Sequence, residues 1–188
     1  LGIINDEYLS SFEQTKRMDP PTLQSAVDAG EQQIEYEIGA DENEDGKIRL
    51  SWGRVIGTYA EREKLTAMQI LSDVLTGNNQ APLTKAVLED GLAETMRLYT
   101  IDGVANPWVK IEARNVKKEN CKQVEKRIFD TLNALANGGL DHEKLEASMA
   151  NFEFQMRERD YGSYPQGLIL GMQVFDSWLY GGAPEANL

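Results

Sequence analysis

Two alternating segments joined by a short connection constrain the fold of this chain more than any other feature. The segment WVKIEARN, residues 108–115, alternates between an apolar and a charged set, which are Val109, Ile111 and Ala113 against Lys110, Glu112 and Arg114. The preceding segment TMRLYTI also reads as a strand, and DGVANP between them suits a hairpin turn. A hairpin excludes an all-parallel sheet, and the alternation predicts one buried and one wet face.

The rest of the chain adds one strand and several helices to this hairpin. KIRLSWGRVIG at 47–57 alternates like a strand, and EREKLTAMQILSDVL has apolar residues at helical spacing. Pro82 is suited to open a short helix, Asp141 to cap another, and Pro165 to begin a third. The predicted apolar stripes of the last two helices are Leu145, Met149, Phe152 and Met156, followed by Leu168, Met172, Phe175 and Leu179. The fold class is therefore α+β, an antiparallel or mixed sheet with helices packed on one face.

The 188 residues are expected to form one domain with a lead-in. Residues 1–46 read as a linker from a preceding domain, with a short helix in NDEYLSSFEQTKRM and a strand-like QIEYEI. Residues 47–184 form the α+β domain, and residues 185–188 are a truncated tail. Because the chain begins at Leu1 and not at Met, we expect it to be a piece of a longer protein.

The net charge of −12 excludes some classes of partner. Nucleic-acid phosphates and anionic membrane surfaces would be repelled, so neither is predicted to bind. No apolar run approaches the ~20 residues of a membrane span. A single cysteine, Cys121, excludes an internal disulfide and favours a reducing compartment. We therefore expect an intracellular location, in a bacterial cytoplasm or an organellar matrix.

The segment DENEDGKIRL, residues 41–50, matches only the first half of a calcium loop. The twelfth position of such a loop needs a bidentate Glu, and here it is Trp52, which cannot ligate calcium. The flanking apolar residues are spaced by two, which is typical of strands, whereas an EF-hand is flanked by helices. The segment is predicted to be a solvated acidic turn that leads into a strand.

Cys121 and His142 are the only residues that suggest catalysis or zinc binding. His142 begins HEKLE, so Glu146 stands where an H-E-x-x-H motif needs its second histidine. Cys121 lies at a predicted helix start, where the helix dipole would lower its pKa. A Cys–His pair would make a small hydrolase, but nothing in the sequence brings the two residues together. The chain is predicted to contain no catalytic residue and no metal ligand.

Three segments together resemble the presequence-protease and falcilysin subgroup of pitrilysin/insulinase-type zinc metallopeptidases. They are EREKLTAMQILSDVLTGNNQAPLTKAVLEDGLAE, the strand KIRLSWGRVIG, and NFEFQMRERDYGSYPQGLILGMQVFDSWLYGGAP, the most specific of the three. The resemblance covers residues 47–184. Gln166 stands where the subgroup commonly has Arg, and Ala93 where it often has Gly, which changes side-chain detail but not the pattern.

The resemblance implies a particular place in a larger enzyme. Enzymes of this kind have four homologous domains that enclose peptides in a chamber, with zinc held in the first domain by H-x-x-E-H. This chain contains no such motif and resembles the second, zinc-free domain, so it carries no cofactor itself and zinc is expected in the parent. The partners implied are the remaining domains and a peptide substrate, and no substrate-binding residue is assigned. If acidic residues line the chamber, basic peptides would be attracted.

Two functions are consistent with these observations. The first is a non-catalytic domain of a presequence-protease-like metalloendopeptidase, inactive alone, which completes the N-terminal half and helps wall the chamber. The second is a self-standing, non-catalytic scaffold or partner subunit of the same fold. The native reading frame separates them, since four domains require more than ~800 residues. The cysteine hydrolase remains a third hypothesis, which requires Cys121 and His142 to be adjacent and exposed.

Overall fold

The computed structural model describes residues 2–13, 16, 19 and 22–187 of the chain. These described residues form six α-helices and three strands in the order α1 (Gly2–Glu7), β1 (Ile48–Val55), α2 (Arg62–Thr76), α3 (Pro82–Leu88), β2 (Thr95–Ile101), β3 (Trp108–Val116), α4 (Cys121–Gly138), α5 (His142–Arg157) and α6 (Gln166–Leu179). Short 3-10 turns occupy Leu9–Ser11, Lys118–Asn120 and Pro184–Asn187. The chain is an α+β protein, as predicted.

The three strands form one antiparallel sheet in the order β1-β3-β2. The hairpin predicted at residues 95–115 is confirmed, since Thr95 pairs with Arg114 and Ile101 with Trp108. The register with β1 shifts near the end of β3, where Asn115 adopts a φ of 56°. This irregularity allows Ala113 and Val116, three residues apart, both to be fully buried.

The core lies between one face of the sheet and helices α2, α3 and α4. Its fully buried side chains come from all three helices and from β3, and include Leu65, Leu83, Val87, Val116, Val124 and Ile128. Val124 and Ile128 lie on the apolar stripe predicted for α4, and Leu132 and Leu135 continue it against the same cluster. Half-buried Trp52 meets Phe129 of α4 edge to face, with ring centroids 6.0 Å apart.

Local chemistry sets several helix boundaries where the sequence predicts them. Pro82 is the first residue of α3, where its missing N–H costs no hydrogen bond. The Asp141 carboxylate accepts hydrogen bonds from the backbone N–H groups of Glu143 at 3.0 Å and Lys144 at 3.3 Å and so caps α5. Gly139, with a φ of 85°, ends α4 in a conformation that glycine adopts without strain.

Two predictions about the lead-in differ from the structure. The strand-like QIEYEI forms no strand, and no helix or strand occurs between residues 22 and 46, all of which are described. No described strand pairs with this segment, and its Ile34 side chain is exposed to solvent. The predicted N-terminal helix is confined to α1 and one 3-10 turn, and residues 14, 15, 17 and 18 of that segment lie outside the described residues.

The apolar stripes predicted to bury α5 and α6 are largely solvent-exposed. No residue of α5 is buried, and Met149 and Met156 are about half exposed. On α6 every member of the predicted stripe is more than half exposed. Leu145 and Phe152 of α5 are half-buried where α5 packs against α2, but within the described chain no element buries the stripe of α6.

Candidate functional site

Cys121 begins α4 and His142 begins α5, so the length of α4 separates them and they do not form a catalytic pair. Cys121 is the first residue of α4, and His142 follows its last residue by four positions. Eighteen helical residues extend about 27 Å at a rise of about 1.5 Å per residue. His142 is 81% exposed and lies 3.5 Å from the Glu146 carboxylate. The adjacency that a cysteine hydrolase requires is absent from the described chain.

The prediction that the helix dipole lowers the pKa of Cys121 is wrong. Burial raises the pKa of the thiol, and the nearby Glu119 carboxylate adds to this effect. The Sγ atom also lies 3.5 Å from the Lys117 carbonyl oxygen, to which the thiol donates. The Cys121 thiol, which lies beside the core, is therefore harder to ionise than a free cysteine thiol.

The acidic segment 41–46 is a solvent-exposed turn, as predicted. The Asn43 side chain accepts a hydrogen bond from the Asp45 backbone N–H at 3.0 Å, and Gly46 adopts a φ of 72°. Glu42 is turned toward Lys47, with which it forms a 2.7 Å ion pair. These contacts close the turn that leads into β1.

The donor set of the chain does not fit zinc. His142 is the single histidine, and Cys121 lies at the far end of α4 from it. Within the described residues no group of three or more His, Cys, Asp and Glu side chains is placed to hold a metal ion. No chemical step is therefore assigned to a metal bound by these residues.

The sheet face opposite the helices carries, on its central strand, an ion-pair network in which the carboxylate is buried. Glu112 is only 5% exposed, although the alternation placed it on the wet face. Its Oε1 accepts from Lys110 Nζ at 2.8 Å, and its Oε2 accepts from Arg114 Nε at 2.7 Å. The two long cationic side chains cover the carboxylate, which is why a charged residue is buried on this face.

This ion-pair network shifts the pKa of both Glu112 and Lys110. Burial raises the pKa of Glu112, but the hydrogen bonds from Lys110 and Arg114 outweigh it, so the pKa lies below its ordinary value. The hydrogen bond to Glu112 raises the pKa of Lys110. Glu112 and Lys110 are therefore both charged at neutral pH.

Two further arginines join this open face of the sheet. Arg97 lies directly across from Glu112 in the register of β2 and β3. Arg49 on β1 stacks over the Tyr36 ring, 4.6 Å from its centroid. The term basic face is used below for these four cations around one carboxylate, namely Arg49, Arg97, Lys110 and Arg114 with Glu112.

An unpartnered apolar stripe runs along α6. Its members recur at intervals of three or four residues and are exposed by 52%, 56%, 65% and 54%, in the order Leu168, Met172, Phe175 and Leu179. Trp178 beside it is 62% exposed. Contiguous apolar surface of this kind is typical of an interaction site. The four stripe residues are called the α6 stripe below.

A cleft of about 480 Å³ separates α2, the β2–β3 loop, α5 and α6. Gln69 donates to the Asp102 carboxylate at 2.9 Å, and the Arg62 guanidinium lies 3.8 Å from the same group. At its edge the Tyr59 and Tyr180 rings lie 4.9 Å apart, and the Tyr180 hydroxyl donates to the Gly103 carbonyl at 3.2 Å. These contacts hold the end of α6 against the loop.

Sequence reasoning found neither the basic face nor the exposure of the α6 stripe. The basic face depends on the register of three strands, which brings together residues that are far apart in the sequence. The Lys110–Glu112–Arg114 alternation was a visible signal for part of it. No residue pattern in or beside α6 indicates that the stripe is exposed.

No helix among the described residues is both long and apolar enough to cross a membrane.

A comparison with protein families matches residues 2–152 to the model described as "Peptidase M16 inactive domain". Among curated proteins, "Protein HypA" of Clostridium perfringens is 35% identical over 190 residues, covering 100% of this chain and 19% of that protein. "Presequence protease 1, chloroplastic/mitochondrial" of Arabidopsis thaliana is 38% identical over 115 residues, covering 61% of this chain and 11% of that protein. The chain thus spans about a fifth or less of the length of these relatives.

Solved structures share the fold. The inactive peptidase domain of a zinc protease from Bordetella parapertussis superposes with a TM-score of 0.62 at 12% identity, covering 76% of this chain and 75% of that one. A protease from Helicobacter pylori gives a TM-score of 0.54 at 18% identity, covering 70% of this chain and 31% of that one. At these identities the likeness concerns the fold alone.

Proposed function

The chain belongs to the M16 peptidase family as its inactive domain, and from that premise we propose that it is a non-catalytic domain of a presequence-protease-like zinc metalloendopeptidase. The parent enzyme degrades unfolded peptides, and this domain completes its N-terminal half and helps wall the peptide chamber. The match of residues 2–152 to the inactive domain carries the proposal.

The α6 stripe supports a domain within a larger protein over a self-standing scaffold. Four apolar side chains, each more than half exposed, stand on one side of a helix. A protein that functioned alone would keep such a stripe covered or polar, because large apolar patches promote association. Further domains of the parent would bury it, and the much greater length of the relatives is in keeping with such domains.

In the proposed enzyme, the metal chemistry belongs to another domain. Zinc bound in the first domain would supply a Lewis acid for the peptide carbonyl and the attacking water. The residues of this chain contribute chamber wall and not proton transfer. Residues 1–46 would connect the preceding domain to this one.

The proposed location is the bacterial cytoplasm or an organellar matrix. Relatives in Arabidopsis thaliana and Xenopus tropicalis are named as chloroplastic or mitochondrial presequence proteases.

The test compares the natural full-length protein with the 188-residue chain. Both are incubated with an unstructured peptide of roughly 30 residues and with a folded protein, and cleavage is followed by mass spectrometry. We expect the full-length protein to cleave the peptide alone, to lose activity on chelation and to recover it with zinc, while the short chain stays inactive. A natural reading frame close to 188 residues, giving a stable monomer without peptidase activity, would favour the self-standing scaffold.

A further inference from the structure

The open face of the sheet has a local charge opposite to that of the chain. The chain contains 31 acidic and 19 basic residues. On the basic face, however, four cations surround the single carboxylate of Glu112. A locally positive surface on an acidic protein attracts anionic groups that the rest of the molecule repels.

Glu112 cannot neutralise all of these cations. Its Oε1 is engaged by Lys110 and its Oε2 by Arg114. Arg97 lies opposite Glu112 on the neighbouring strand and forms no ion pair with any described residue. The Arg97 guanidinium, exposed at the surface, is thus available to an external carboxylate.

Arg49 is oriented without being neutralised. Its guanidinium stacks on the Tyr36 ring, and the Tyr36 hydroxyl donates to the Lys47 carbonyl oxygen, which fixes the ring. Stacking uses the flat face of the guanidinium and leaves its N–H edges open for bidentate contact with a carboxylate.

The acidic lead-in reaches this face only through an aromatic contact, that of Tyr36 with Arg49, among the described residues. Residues 22–46 contain eight carboxylates and no lysine or arginine. The only ion pair among them in the described structure joins Glu42 to Lys47, outside the basic face. Among the described residues, no carboxylate of this segment therefore forms an ion pair with a cation of the basic face.

We propose that the basic face recognises carboxylate side chains of an extended peptide substrate, with Arg49 and Arg97 as the two contacts. This rests on the proposed function, in which the domain walls a peptide chamber. The arginines stand on the outer strands, two strand spacings apart and two residues out of step, which places their Cα atoms about 12 Å apart. An extended peptide spans about 13 Å over four residues and points residues i and i+4 to the same side.

The substrate preference expected from this geometry is opposite to the attraction of basic peptides that the net charge alone favours. A peptide with Glu at positions i and i+4 should bind better than its Gln counterpart of equal length. Each arginine contact with a carboxylate at the surface is expected to change affinity by about two- to fivefold.

The experiment uses the full-length protein and two unstructured peptides that differ only by Glu or Gln at positions i and i+4. The test variant is Arg49→Gln with Arg97→Gln. The matched control is Arg54→Gln, because Arg54 is also an exposed arginine of β1 but points to the opposite side of the sheet. KM and kcat are measured for cleavage, and dissociation constants by fluorescence anisotropy with labelled peptides.

We expect the test variant to raise KM and the dissociation constant of the Glu peptide by roughly fivefold or more, with kcat and the Gln peptide unchanged. The control should behave like the wild-type protein. Equal binding of the two peptides by the wild-type protein, or equal losses in test and control variants, would overturn the proposal. If the protein cleaves neither peptide, the proposed function fails, while the anisotropy measurement still decides whether the basic face binds carboxylates.

Discussion

Glu112 and Lys110 lie two residues apart on the open face of β3, joined by a 2.8 Å ion pair in which the carboxylate is the more deeply buried partner. The hydrogen bonds from Lys110 and Arg114 hold the pKa of Glu112 below its ordinary value in spite of burial, which acts in the opposite direction. A carboxyl of this kind stabilises the fold above its unfolded pKa, about 4.3. That stabilisation is lost as the pH falls through the lower folded pKa.

Glu112→Gln is therefore expected to lower the free energy of unfolding by about 2 kcal/mol at pH 7. The difference from the wild-type protein should shrink as the pH falls below about 4, because protonation removes the same charge. Urea denaturation between pH 3 and pH 7 measures both effects. Glu125→Gln, an exposed carboxylate of α4, is the control and should change little. A difference in unfolding free energy that stayed constant from pH 3 to pH 7 would contradict the proposed stabilisation by the ionised Glu112 carboxylate.

Truncating a side chain of the core should destabilise the chain much more than truncating a side chain of the α6 stripe. Ile128→Ala removes a fully buried side chain of α4 and should cost about 2–5 kcal/mol. Leu168→Ala removes a side chain that is 52% exposed and should cost less than about 1 kcal/mol in the 188-residue chain. Chemical denaturation of the two variants compares them directly. Similar losses would mean that α6 is packed more tightly than its exposure indicates.

Charged residues introduced into the α6 stripe should destabilise the protein only when another domain covers the stripe. Met172→Asp with Phe175→Asp is expected to leave the unfolding free energy of the short chain within about 0.5 kcal/mol. In the full-length protein the same pair should lower the melting temperature by several degrees, because an interface would bury unpaired carboxylates. Ile34→Asp, at a site that is 79% exposed and outside α6, is the control. Identical behaviour in both lengths of chain would argue against a domain interface.

The cap at Asp141 should contribute to stability through its side chain. Asp141→Ala removes the acceptor for two N–H groups at the start of α5 and is expected to cost about 1 kcal/mol. Asp141→Asn should retain most of that stability, because an amide oxygen also accepts at this position. Thermal unfolding of the two variants separates capping from charge, and equal losses would show that charge dominates.

Cys121 should react slowly with thiol reagents. Burial raises the pKa of its thiol, so the thiolate fraction at pH 7.5 is smaller than for a free cysteine. We expect alkylation by iodoacetamide to be slower than that of a small thiol such as N-acetylcysteine, with a rate that keeps rising as the pH increases past about 9. His142→Ala should not change this rate, since the length of α4 separates the two residues. Rapid alkylation that depended on His142 would restore the hydrolase hypothesis.

The sequence predicts those features whose causes are local. The alternation at 108–115, the proline at the start of α3 and the aspartate before α5 each act within a few residues, and each appears in the structure. The burial of Glu112 is not local, because it depends on Lys110 and Arg114 folding over the same carboxylate.

The helices near the end of the chain show a different limit. α6 is apolar around most of its circumference, so its periodicity does not indicate which side meets the core. Ser177 is buried by the segment that follows the helix, where its hydroxyl donates to the Ala183 carbonyl, whereas the stripe with Leu168 and Phe175 faces solvent. The apolar spacing of α6 is typical of a buried helix face, but no element among the described residues buries this face.

The strand order β1-β3-β2 leaves an arginine-bearing strand at each edge of the sheet. Arg49 and Arg54 stand on β1, and Arg97 stands on β2. Charged side chains on edge strands disfavour pairing with the edge of another molecule, because that pairing would bring like charges together. The arginines of the edge strands therefore also keep two copies of this sheet from joining edge to edge into an aggregate.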